Sequence, residues 1–137
     1  MLTVAIVHHH LRGGGVSRVI ANAIEALTPQ PVRAAVLVGE PPDDRPPRDV
    51  PVAVVDGLGY ADSQTMPDPK DLESRLRRAA RTALGRPPDI WHVHNHSLGK
   101  NPGLTLATES LARAGEPLLL QIHDFAEDGR PANYHSL

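Results

Sequence analysis

Apolar positions along the chain follow two different spacings, and the switches between them mark its elements. Residues 1–7, Met1-Leu2-Thr3-Val4-Ala5-Ile6-Val7, form a short continuous apolar run, the pattern of a strand buried on both faces. After Gly13, Gly14 and Gly15, the residues Val16, Val19, Ile20, Ala23, Ile24 and Leu27 recur at offsets of three and four. That stripe predicts an amphipathic helix, closed by Thr28 and Pro29. Second and third apolar runs occupy residues 32–38 and 52–55. Pro41, Pro42, Pro46, Pro47 and Pro51 lie between them and predict a stiff surface connection, polyproline II in part. Asp68 is placed to cap a helix with Pro69 at its first position; Asp71 and Glu73 come early and Arg75, Arg77, Arg78 and Arg81 later, in accord with the helix dipole. Leu72, Leu76, Ala79, Ala83 and Leu84 are its expected buried face. Residues 89–94 predict a fourth strand. Asn101 and Pro102 open a helix through Leu104, Ala107, Leu111 and Ala114 that Gly115 stops, and residues 118–122 predict a fifth strand.

Strands separated by helices imply right-handed crossovers and a parallel sheet covered on both faces. The expected fold class is α/β: a Rossmann-like, three-layer α/β/α arrangement with a mostly parallel sheet of about five strands. The connection from the second to the third strand has no helix and leaves a hairpin open. At 137 residues the chain suits a single domain, residues 1–137. It ends soon after the fifth strand, where doubly wound domains often carry six or more, so the expectation is a domain incomplete at its C-terminal end. The N-terminus has no basic leader and fails as a signal peptide; it reads as an authentic start.

Composition narrows the function classes. Aromatic residues make up 3% of the chain, so the core must be Val, Ile, Leu and Ala. A net charge of −2 with two lysines provides neither a nucleic-acid footprint nor a polybasic membrane patch. No stretch approaches a membrane span. The absence of cysteine excludes a disulfide framework and a thiolate metal site and is compatible with a reducing, cytoplasmic setting, the expected localisation.

In an open parallel sheet, ligands bind beyond the carboxyl ends of the strands where strand order reverses, here expected between the first and fourth strands. Seven of the eight histidines lie in or just beyond the first, fourth and fifth strands. The glycine turn lets backbone amides approach an anion at the start of a helix, which suits a phosphate or diphosphate; a tight turn without ligand is the alternative. Arg18 could assist the anion or lie exposed. There is no GxxxxGK(S/T), and Arg18 stands where GxGxxG requires a small residue, which disfavours ATPase and ordinary dinucleotide readings. Glu40 could hold a ribose or simply be solvated. His92, His94 and His96 alternate and could present imidazoles to a metal, but no carboxylate completes the pattern. Trp91 points the other way, into the core. His123 and Asp124 end the fifth strand, suited to bonding a sugar or to proton transfer, or else to capping the next turn. Glu127 and Asp128 read as a solvated loop.

Three stretches resemble the N-terminal domain of family-4-type retaining glycosyltransferases, which have the GT-B fold. They are Val4-Ala5-Ile6-Val7-His8 leading to Gly13-Gly14-Gly15-Val16-Ser17-Arg18-Val19-Ile20, then Asp89-Ile90-Trp91-His92-Val93-His94-Asn95-His96, then Leu120-Gln121-Ile122-His123-Asp124-Phe125. The resemblance implies two Rossmann-like lobes with a nucleotide-diphosphate sugar donor in the cleft, held mostly by a C-terminal lobe, and a sugar or lipid-like acceptor held mostly by this one. It implies that amides at Gly14 and Gly15 approach the donor diphosphate. It also implies that His123, with Asp124 beside it, contacts the donor sugar, and that Asn95 and His96 face the acceptor. No catalytic metal or other cofactor is implied. The C-terminal basic residue and paired glutamates of the family have no counterpart here, so the chain alone is expected to be inactive. Two other readings stay open: a self-standing Rossmann-like phosphate- or nucleotide-binding module, and a metal-dependent hydrolase built on the alternating histidines. Acceptor specificity is expected in loops such as residues 45–49 and 60–66.

Overall fold

A computed structural model describes residues 1–43, 45–125 and 131–135. Five strands form one sheet: β1 (Leu2–Val7), β2 (Val32–Val38), β3 (Val52–Val54), β4 (Ile90–His94) and β5 (Leu118–Gln121). Their order is β3-β2-β1-β4-β5, and every pairing is parallel. Helix α1 (Gly15–Leu27) links β1 to β2, α2 (Pro69–Leu84) links β3 to β4, and α3 (Pro102–Arg113) links β4 to β5; a one-turn helix, α4, spans Pro131–Tyr134. The fold is the Rossmann-like α/β class that the periodicities predict. Glu127 and Asp128 lie outside the described residues.

The sheet separates two apolar layers. On one side Ala5, Val7, Leu37, Trp91 and Val93 pack under Leu72, Leu76, Ala80 and Leu84 of α2 and Leu104, Ala107 and Leu111 of α3. On the other, Val4, Ile6, Val36 and Val38 pack against Ile20 and Ile24 of α1. Trp91 is fully buried in the first layer, as its alternation with the histidines predicts.

The hairpin left open between β2 and β3 does not form. β3 pairs parallel with β2, and the proline-rich connection, containing a 3-10 turn at Pro47–Asp49, carries the chain back on the α1 side, where Val50 and Val52 join the apolar layer. Burial of those valines takes the place of a crossover helix. Helix α2 starts as predicted: the Asp68 carboxylate accepts from the amides of Lys70 and Asp71, and Gly85 ends the helix at φ 77. Its buried stripe runs through Ala80, with Ala79 and Ala83 only partly covered. Ala114 is exposed, because α3 stops at Arg113 and Gly115 turns the chain at φ 79. Register between β1 and β4 is pinned by Asp89, whose carboxylate accepts from the amide and hydroxyl of Thr3 at 2.8 and 2.9 Å.

Candidate functional site

Strand order reverses between β1 and β4, so the chain leaves β1 towards α1 and β4 towards α3, and a crevice opens at their carboxyl ends. Past β1 the backbone stays flat against β2: the amide of His8 donates to Leu37 at 3.1 Å, and that of Gly39 donates to His9 at 2.8 Å. Gly39 then allows a close crossing. A Cβ on Gly39 would sit 2.1 Å from the amide nitrogen of Gly59, so only glycine lets the loop after β3 pass over the end of β2. Buried Asn101 ties this loop to α3. Its amide group donates to the carbonyls of Gly57 and Gly59 at 2.8 and 2.7 Å, and its oxygen caps Leu104. Ala61 donates to the Lys100 carbonyl at 2.7 Å. Tyr60 and Lys100, forty residues apart in sequence, thereby share one wall.

The opposite wall is the glycine turn. Together they enclose a cleft of about 150 Å³ lined by His8, Gly13, Gly14, Gly15, Tyr60, Asn95, Lys100 and Asp124 among others. A Cβ on any of the three glycines would meet nothing within 4 Å, so internal packing does not require them; the space in front of them is open to a ligand. Gly14, the N-cap, makes no side-chain cap, and no acid occupies the first turn of α1, so that helix end keeps uncapped amides and an uncompensated dipole. Across the cleft the Tyr60 ring lies near two cations, with the Lys100 ammonium 5.4 Å and the Arg12 guanidinium 5.9 Å from its centroid. His10 Nε2 sits 3.0 Å from the Tyr60 hydroxyl.

Beneath the cleft the histidines form a neutral cluster. His94 is fully buried, with its ring 4.2 Å from that of His92 and 6.1 Å from that of His8. Nδ1 of His94 meets Nε2 of His123 at 2.9 Å, and Nε2 of His92 meets the Gln121 side-chain oxygen at 2.8 Å. Burial, and then the neighbouring imidazoles, push His94 down to about 3 and His9 to about 3. Burial and His10 push His8 down to about 4. Burial also lowers His92 and His96. Near neutral pH these rings act as hydrogen-bonding groups, not as charges. Asn95, in the left-handed region at φ 53, directs its side-chain oxygen to the amides of His123 and Asp124 at 2.8 and 3.4 Å, which ties the end of β5 to the end of β4.

Comparison with known families decides what kind of domain carries this crevice. The family model of the glycosyl transferase 4-like domain matches residues 14–136. The chain belongs to that family. A mannosylglucosyl-3-phosphoglycerate synthase of Petrotoga mobilis is 46% identical over 46 residues, a stretch that is 33% of this chain and 9% of that protein. No solved structure matches.

Within this glycosyltransferase 4-like domain the residues singled out from sequence fall in different places. Gly14, Gly15, Asn95 and Asp124 line the cleft. His123 reaches it through its neighbours: it is bound to His94 and clamped by Asn95. Arg18 lines a separate hollow of about 310 Å³ on the far side of the glycine turn, with Arg45 and Pro46. His96 is off the strand, which ends at His94; its Nδ1 is buried without a partner among the described residues, and its carbonyl accepts from Thr105. Glu40 is neither a free ribose ligand nor simply solvated, since it forms a two-point ion pair with Arg12 at 2.5 and 2.9 Å. Among the described residues no group of three or more His, Asp or Glu is placed to hold a metal, and no helix is long and apolar enough to cross a membrane. Sequence reasoning missed Arg12 and Lys100 and met Tyr60 only as the start of a loop expected to carry acceptor specificity; the Arg12–Glu40 pair had a faint signal in two opposite charges in the segments that follow β1 and β2.

Proposed function

We propose that this domain is the acceptor-side lobe of a retaining, two-lobed GT-B glycosyltransferase that moves a sugar from a nucleotide-diphosphate donor to an acceptor hydroxyl. Residues 1–137 make one Rossmann-like domain of that enzyme. The observation that carries the reading is the uncapped, unobstructed glycine turn at the β1–β4 switch point. Amides at Gly14 and Gly15 approach the donor diphosphate and stabilise the charge that develops on it as the glycosidic bond breaks. His123 and Asp124 meet the donor sugar, and Asn95 and His96 stand on the acceptor side. The other lobe of such an enzyme grips the nucleotide, and one lobe alone leaves the donor solvated.

Acceptor class follows from the opposite wall. Lys100 forms no ion pair among the described residues, and with Arg12 it lies near Tyr60. Arg12 is already matched by Glu40, so it is the Lys100 ammonium beside the aromatic ring that suits an acceptor carrying an anionic group as well as its nucleophilic hydroxyl. The relative from Petrotoga mobilis is named for a product built on phosphoglycerate, which supports the same chemistry.

Titration of the 15N-labelled chain with inorganic pyrophosphate tests the turn directly. Amide resonances of Gly13, Gly14 and Gly15 are expected to move in a saturable way, and Gly15→Val is expected to abolish the response. Unmoved glycine amides at saturating ligand, or sugar transfer from a nucleotide donor by the purified 137-residue chain, would overturn the reading.

A further inference from the structure

The contact between His94 and His123 contains one proton, and the surroundings decide which ring supplies it. Nδ1 of His94 lies 2.9 Å from Nε2 of His123, with the ring planes 7° apart and their centroids separated by 5.2 Å. An N–H in the plane of one ring then points along the lone pair of the other. Two neutral arrangements are available. If His94 accepts at Nδ1, its own proton must sit on Nε2. That nitrogen is buried and has no hydrogen-bond partner among the described residues, in a residue with 0% exposure, so the arrangement strands an N–H donor in the interior. If His94 donates from Nδ1, Nε2 keeps only a lone pair. Buried N–H groups left without a partner are rarer than buried acceptors left without one. The second arrangement is favoured.

Double protonation of His94 does not rescue the first, since burial among other imidazoles holds this ring neutral near pH 7. His92 does not supply the missing partner either: its Nε2 is committed to Gln121. At the other end, His123 is fixed by its main chain, whose amide donates to Asn95 at 2.8 Å. Its Nδ1 has no protein partner among the described residues, and the residue is partly exposed, beside cleft-lining Asp124.

We infer that His94 is a positioning residue: it donates from Nδ1 to Nε2 of His123 and so holds His123 as the Nδ1–H tautomer, which presents a hydrogen-bond donor outward. With its Nε2 lone pair engaged inside the protein, His123 meets a ligand as a donor to an oxygen atom and not as a proton-abstracting base. That the ligand oxygen belongs to a donor sugar or its diphosphate rests on the glycosyltransferase reading above; the tautomer itself does not.

Long-range 1H–15N correlation spectra of the intact 137-residue chain near neutral pH test the assignment without any sugar nucleotide. Free neutral histidine favours the Nε2–H form, so an Nδ1–H pattern at His123 is diagnostic. The expected result is an Nδ1–H pattern at both His94 and His123 in the native chain. In His94→Leu, His123 is expected to lose it and revert to Nε2–H. In His94→Asn it is expected to persist, because the asparagine amide places an N–H where imidazole Nδ1 stood. An Nε2–H pattern at native His123 would overturn the inference, as would an Nδ1–H pattern that survives in folded His94→Leu. If the leucine variant does not fold, the native and His94→Asn spectra decide. Failure here would leave sugar transfer untouched, and absence of transfer would leave the tautomer standing.

Discussion

The two faces of β4 are built from alternate residues of one five-residue strand and have opposite chemistry. Towards α2 and α3, Trp91 and Val93 sit in a dry layer of leucine and alanine. Towards the α1 side, His92 and His94 meet other imidazoles and a glutamine amide. Both faces are buried, so burial alone does not distinguish packing from chemistry. The difference lies in what each face can titrate. The apolar face gains free energy with every methylene removed from water. Among the described residues each face keeps one buried nitrogen without a partner, Nε1 of Trp91 and Nε2 of His94, but only the imidazole can take up a proton, and it is held neutral at a cost that appears when protons become available.

Acid should break this contrast first and most strongly. His8, His9 and His94 have folded values of about 4, 3 and 3 against an ordinary 6.5. As pH falls below 6.5 the unfolded chain takes up these protons while the folded chain refuses them, so stability is lost on acidification down to the folded values. Each such imidazole contributes about 1.4 kcal/mol per pH unit, and the three together roughly 4 kcal/mol per pH unit. Urea unfolding at a series of pH values measures this slope. His9→Leu is expected to remove one proton's share of it, and a flat profile between pH 6 and 5 would show that the histidine face is not held neutral.

On the dry face the effect is a cavity with no pH dependence of its own. Trp91→Ala is expected to cost about 3–5 kcal/mol at every pH, read from the same unfolding curves. Weaker still is the loss of the cap on the helix that covers this face: Asp68→Ala should cost about 1 kcal/mol, seen as a lower melting temperature with an unchanged pH slope. Smallest in stability, and sharpest for function, is Gly15→Ala. The open space at this glycine predicts a change within about 1 kcal/mol, while pyrophosphate binding should fall measurably by calorimetry. Unchanged binding would place the anion elsewhere than the glycine turn.

Much of the fold was legible because its signals are local. The stripe from Val16 to Leu27, the Asp68-Pro69 start and the Gly115 stop act over one helical turn, and the elements form where they predict. The direction of β3 was not legible. A proline-rich connection can return on either side of a sheet, and it is the burial of Val50 and Val52 beside α1 that selects the parallel pairing. The cleft divides in the same way. Its glycine turn and its position at the β1–β4 switch follow from element order. Its second wall depends on the close approach of Gly39 to Gly59 and on the buried hydrogen bonds of Asn101, which no nearby residues announce. Glu40 shows the same limit, because its partner Arg12 lies 28 positions away.

By itself, the sequence determined which residues form strands and helices, and that the histidines gather at one end of a parallel sheet, because periodicity and capping act between residues three or four apart. Only the tertiary structure decided that Nδ1 of His94 meets Nε2 of His123 across 29 positions, and that Tyr60 comes near both Arg12 and Lys100. A contact of 2.9 Å requires strand register and side-chain rotamer to agree at once. Register is set by the whole packed sheet, through pairings such as His94 opposite Gln121, and not by any stretch of chain short enough to read alone.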